Sequence, residues 1–207
     1  MQCSAMESFR LKHDPIVGPQ PQARDPIERW IPFAVRCGAI ALADLLLYQA
    51  ASATWSFPPG RFPFLLSQWN WWIVTSIHEA GHYLFFMFGR IMMIAGGSFW
   101  QVAMPLALVG VAGKQRSFWA SVYLIIAGVH LTVLNPYIYD APYRSLPLLG
   151  GDKRGHDWYN LLIHWQALDA AEDLAMVAYF GGIFLGVMGT LIGLAWALTL
   201  ALSKQSK

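Results

Sequence analysis

Charge is what this chain has least of. Only 13 % of its 207 residues are Asp, Glu, Lys or Arg, against roughly 25 % in a typical soluble domain. That shortage excludes an ordinary soluble fold. The net charge is +2, with no charge run or basic stripe, so no nucleic-acid partner is expected. Cysteine is nearly absent. Cys3 lies in a polar stretch and Cys37 in an apolar one, which excludes a disulfide framework. The six histidines are too few for the repeated His boxes of a membrane di-iron enzyme. Internal repeats and low-complexity tracts are lacking. No short apolar run follows a basic start, so a cleavable signal peptide is not expected. What remains is hydrophobicity: 56 % of residues are apolar and the mean hydropathy is +0.41. The chain therefore reads as a multi-pass integral membrane protein whose solvent is the lipid bilayer.

The expected fold is all-α, a polytopic transmembrane helical bundle. It has about four full spans, a short broken or re-entrant segment and an interfacial helix. Residues 1–31 read as a flexible polar tail, interrupted by Pro15, Pro19, Pro21 and Pro26. Residues 32–203 read as a single transmembrane metal-binding domain. The spans are placed at 32–54, 69–88, 118–139 and 174–202. Residues 96–113 are apolar but carry Pro105 in their centre, so they cross as a broken helix or re-enter, and the lean is to re-entry. The interfacial helix is placed at 158–173. Asp44, inside the first span, is expected to face other helices in a structural pairing. Gly182, Gly186, Gly189 and Gly193 form a small-residue stripe for close helix packing. Arg10, Lys12, Arg24 and Arg29 place the N-terminus in the cytoplasm.

The chemistry concentrates at His78-Glu79-Ala80-Gly81-His82, an HExxH pentapeptide flanked almost wholly by apolar residues. Histidines at i and i+4 share one helix face and can grip one Zn2+ ion, and the Glu between them can act as general base. A His-Glu-His cluster without purpose would carry a desolvation penalty in such surroundings. His78, His82 and Glu79 are therefore the leading metal and catalytic residues.

A catalytic zinc usually takes three protein ligands and leaves one position for water. The third is sought among His130, Asp140, Asp152, His156, Asp157 and His164. The segment Gly150-Gly151-Asp152-Lys153-Arg154-Gly155-His156-Asp157 is densest in donors, and its glycines permit tight turns. His156 ranks first and Asp157 second. Asp157 has a plainer use as the N-cap of a helix starting at Trp158, and His130 reads as a packed or supporting histidine. A carboxylate such as Asp140 or Asp44 is a candidate to orient a ligating imidazole.

An HExxH in a membrane helix, followed by a glycine-rich segment carrying an Asp, resembles the site-two-protease family of intramembrane zinc metalloproteases. The resemblance covers the HExxH helix. In that family the two His and a distant Asp bind zinc, and the motif Glu activates water. His78, Glu79 and His82 match directly. The family's later Asn, its Pro three residues on and its Leu-Asp-Gly are represented here by an adjacent Asn135-Pro136 without Leu-Asp-Gly. The resemblance implies hydrolysis of a peptide bond in a membrane protein substrate. The alternative is a non-catalytic metal-binding protein, or an accessory subunit of a larger membrane complex.

Overall fold

A computed structural model describes residues 26–149 and 151–202. Most of the expected 1–31 tail, with Arg10, Lys12 and Arg24, lies outside the described residues, as does Gly150. Among the described residues helix is the only regular secondary structure, and there is no strand. The helices are α1 (Pro26–Thr54), α2 (Phe64–Trp69), α3 (Thr75–Phe85), α4 (Arg90–Lys114), α5 (Trp119–Thr132), α6 (Asn135–Tyr139), α7 (Asp157–His164) and α8 (Ala171–Leu202). A π-helical turn at Asn70–Val74 joins α2 to α3.

Four stretches are long and apolar enough to cross a bilayer: Trp30–Thr54, Arg90–Lys114, Trp119–Tyr139 and Leu168–Thr199. The protein is therefore an integral membrane protein. These four differ from the expected set in one member. The HExxH stretch is helical from Phe64 to Phe88 but is not among the four, and residues 90–114 take its place.

That exchange corrects the expected break at Pro105. Helix α4 runs unbroken for 25 residues with Pro105 buried inside it. Proline has no N–H to give the carbonyl four residues back, which here belongs to Gln101. Nδ1–H of His130, on α5, donates to that carbonyl at 2.8 Å. The Gln101 side chain returns the bond, its Nε2 donating to the His130 carbonyl at 2.9 Å. In an apolar medium every backbone polar group must find a partner within the protein. The α4–α5 clamp supplies this one, so re-entry is not needed.

Helix α5 lies at the centre and packs against α1, α4 and α8. Lipid tails are as apolar as the side chains, so close contact rather than hydrophobic burial holds such helices together. The expected glycine stripe on α8 is where that contact occurs. A Cβ at Gly182 would sit 2.7 Å from the Gly128 carbonyl, one at Gly189 2.7 Å from the Ser121 carbonyl, and one at Gly186 would strike Leu47 of α1. Asp44 also pairs across helices as expected, with Thr190 Oγ1 of α8 donating to its Oδ1 at 2.6 Å.

Helices α3 and α4 form an antiparallel hairpin closed by Gly89, whose φ of +91° suits glycine alone. Their backbones touch at Gly81 and Gly96; a Cβ on Gly81 would lie 2.2 Å from the Gly96 carbonyl. The outer face of α3 and of the 3-10 turn Phe86–Phe88 that follows it is bare, with Tyr83 and Met87 more than three-quarters exposed. The expected interfacial helix is shorter than 158–173. It ends at His164, and the chain turns through Gln166 at φ +55° before α8 begins at Ala171.

Gly128→Leu should separate α5 from α8, because its Cβ alone would come within 2.5 Å of the Gly182 carbonyl. A loss of roughly 1–3 kcal/mol is expected from such overpacking, read as a lower melting temperature in detergent. Gly38→Ala, which meets nothing within 4 Å and improves helix propensity, should not lower the melt.

Candidate metal centre

The two motif histidines project from α3 onto one face, with ring centroids 4.8 Å apart. No side chain intrudes between them and α4, because Gly97 stands opposite. A Cβ there would lie 2.6 Å from His82 Nε2 and 2.7 Å from His78 Nε2. One ligand atom from each of His78, Glu79 and His82 lies within 4.8 Å of the other two.

Each ring is held through its Nδ1. His82 Nδ1–H donates to the Met93 carbonyl at 2.8 Å. His78 Nδ1–H donates to Gln101 Oε1 at 3.0 Å. The His130 carbonyl can only accept, which fixes Gln101 with its nitrogen toward α5 and its oxygen toward His78. Both rings therefore turn Nε2 the same way. Such outer partners set the tautomer and angle of a ligating histidine. The carboxylates expected in this supporting role are engaged elsewhere, Asp44 with Thr190 and Asp140 with the loop that follows it.

The third group is Asp157. Its Oδ2 lies 3.0 Å from His78 Nε2 and 3.4 Å from His82 Nε2. Ligands about 2.0–2.1 Å from a tetrahedral zinc stand roughly 3.3 Å from one another, close to these separations. With both rings neutral, two nitrogen lone pairs and a carboxylate oxygen would meet at one point, an arrangement suited to a cation. Burial pushes the Asp157 carboxyl up, but hydrogen bonds and positive charge from the His78 and His82 rings outweigh it and hold the group down at about 2. The donor set thus fits zinc: two neutral nitrogens and one anionic oxygen, with Glu79 alongside.

His156 does not join them. The sequence ranks it ahead of Asp157, but it takes the capping duty expected of Asp157. It occupies the N-cap of α7, where its Nδ1 accepts from the Tyr159 N–H at 3.2 Å. Burial pushes this imidazole below its usual range. Its Nε2 faces Asp140 Oδ2 across 3.4 Å without closing a hydrogen bond. Because His156 caps the helix, the Asp157 carboxylate is free to turn toward α3.

Three contacts then aim Asp157. Tyr137 OH accepts from the Asp157 N–H at 3.0 Å and donates to Oδ2 at 3.1 Å. Trp158 Nε1–H donates to Ser98 Oγ on α4 at 3.0 Å, one residue from Gly97. The His156 ring stacks on Tyr137 with centroids 4.5 Å apart. Asp140 is wholly buried and accepts from the Ser145 N–H, the Ser145 hydroxyl and the Leu146 N–H. It thereby holds residues 145–149 over the site.

The remaining candidates lie apart. Asp152 is exposed and paired with Arg154 at 2.9 Å, a contact that pulls its carboxyl below the usual range. His164 is exposed at the end of α7, and His130 is committed to Gln101. Gln101, Tyr137, Ser98 and Gly97 belong to no recognisable site motif in the sequence. Only Gly97, in the pair Gly96-Gly97, carries a visible signal of close approach. The whole group opens onto a cavity of about 440 Å³ lined by Asn70, His78, Glu79, Gln101, Tyr137 and Leu148, among others. In comparisons with known proteins, the chain matches no family model, no curated protein and no solved structure.

Asp157→Ala should lower zinc content as severely as His78→Ala, by metal analysis of the purified protein. His156→Ala should lower it less, by loosening the α7 start. Gly97→Ala tests the opposite wall: its methyl would displace both Nε2 atoms and weaken zinc binding roughly 10–100-fold, the range seen when ligand orientation is lost. Zinc affinity equal to wild type in Gly97→Ala would show that the rings have room to spare.

Proposed function

We propose that this protein is an intramembrane zinc metalloprotease that hydrolyses a peptide bond of a membrane protein substrate. The observation that carries the reading is the convergence of His78 Nε2, His82 Nε2 and Asp157 Oδ2 beside Glu79 at the wall of a cavity. It is the ligand geometry implied by the resemblance to site-two proteases, with Asp157 standing for the distant Asp. A zinc ion held there would supply a Lewis acid and an acidified water.

The chain's own residues would do the rest. Glu79 takes the proton from the attacking water and returns it to the leaving amine. Gln101 and the Met93 carbonyl keep both Nε2 atoms aimed during turnover. Tyr137 keeps Asp157 from swinging away. The cavity of about 440 Å³ suits a short unwound stretch of chain rather than a helix about 10 Å across.

We also place the N-terminus in the cytoplasm. With Phe64–Phe88 taken as a fifth crossing, Arg10, Lys12, Arg24, Arg29, Arg90, Arg144, Lys153 and Arg154 fall inside. Arg61, Lys114, Arg116, Lys204 and Lys207 fall outside, a bias in the direction that inside loops favour.

Glu79→Gln should keep its zinc and lose cleavage of a membrane peptide by about 10²–10⁴-fold, the usual worth of a general base. Zinc content and turnover are measured on the same preparation. Undiminished turnover would reject Glu79 as base, and zinc without turnover in the wild type would favour the non-catalytic alternative.

A further inference from the structure

We infer that Asn70 is a substrate-binding residue that grips the peptide backbone several residues from the bond to be cut. The inference rests on the hydrolase reading above and extends it to a subsite. Asn70 lines the same cavity as His78 and Glu79. It is half-buried, and among the described residues no hydrogen bond engages its side-chain amide. The other polar side chains of the wall are spoken for. Gln101 is bound at both ends of its amide, Tyr137 is bound to Asp157, and the Thr75 hydroxyl donates to the Asn70 carbonyl. The amide of Asn70 is thus left to offer one acceptor and two donors to whatever enters. A peptide unit offers the complement, one N–H and one C=O.

The backbone supports the same assignment independently. Asn70 opens the π-helical turn Asn70–Val74, an irregularity frequent at functional sites. The turn leaves the Asn70 carbonyl accepting from both the Thr75 N–H and the Thr75 hydroxyl. The backbone oxygen is therefore fully used, and only the side chain remains free toward the cavity. Asn70 stands eight positions before His78 along the helix, about 12 Å of rise. An extended substrate covers that distance in three to four residues at about 3.3 Å each.

The test uses full-length protein in detergent and a lysine-flanked peptide with a 20-residue apolar segment, labelled for fluorescence. Binding is read by anisotropy on zinc-loaded Glu79→Gln, and cleavage on the active protein. Asn70→Leu should weaken binding and raise KM roughly tenfold, the scale of a lost hydrogen bond that leaves its partner unmet. Zinc content and kcat should change less than about twofold. The near-isosteric Asn70→Asp should fall between the two and guards against misfolding of the leucine variant. A set of peptides N-methylated at one backbone position each supplies the decisive readout. One position should cost binding to the Asn70 protein and cost nothing further in Asn70→Leu, as in a double-mutant cycle. Cleavage with no such coupled position overturns the inference and leaves the hydrolase reading standing. Coupled binding without cleavage by the active protein does the reverse. A peptide that neither binds nor is cut overturns both.

Discussion

Helix α4 lacks one backbone N–H, at Pro105, and much of the site follows from how that gap is filled. The orphaned Gln101 carbonyl draws His130 from the central helix. The Gln101 amide then reaches back to the His130 carbonyl. With its nitrogen committed there, its oxygen must face the other way, toward His78. A missing donor in one helix thus fixes the tautomer of a histidine in another. The bond also lashes α4 to α5, so the floor of the cavity and the orientation of the His78 ring share one cause.

The other half of the site comes from 79 residues further along the chain. An aspartate carried on a short helix would be a loose ligand if only its own backbone held it. Here the first N–H of α7 is satisfied by the Tyr137 hydroxyl, the cap is supplied by His156, and Trp158 is tied to Ser98. The cap is local to α7, and the other two contacts come from α6 and α4, so α7 is pinned to both of those elements. Preorganisation of this kind lowers the cost of gathering three ligands around one ion, because the ordering is done by the fold.

The sequence displayed the features that are local or periodic. The i, i+4 histidines, the glycine stripe of α8 and an isolated Asp44 in an apolar run each state their role within a few residues. The segment 150–157 was recognisable as the donor-rich loop. The choice between His156 and Asp157 was not. Neighbouring residues at a helix start point in different directions, and which one caps depends on the Tyr137 and Asp140 side chains brought there by the tertiary fold. Pro105 misled for a related reason. A proline breaks a helix unless something distant satisfies the freed carbonyl, and His130 lies 25 positions away in sequence. Gln101 was invisible because one glutamine in an apolar helix belongs to no motif.

The contact between Gly81 and Gly96 bears on how this pentapeptide can drift. His78, Glu79 and His82 are constrained by chemistry, whereas Gly81 is constrained by the wall it leans on. Ala80 alone is exposed. The two residues that the motif formula leaves free are therefore unequal in this chain. One tolerates nearly any side chain compatible with a helix in lipid. The other faces a partner 15 positions away, and because a Cβ on either glycine meets the other's backbone, neither can change, singly or together, without parting α3 from α4.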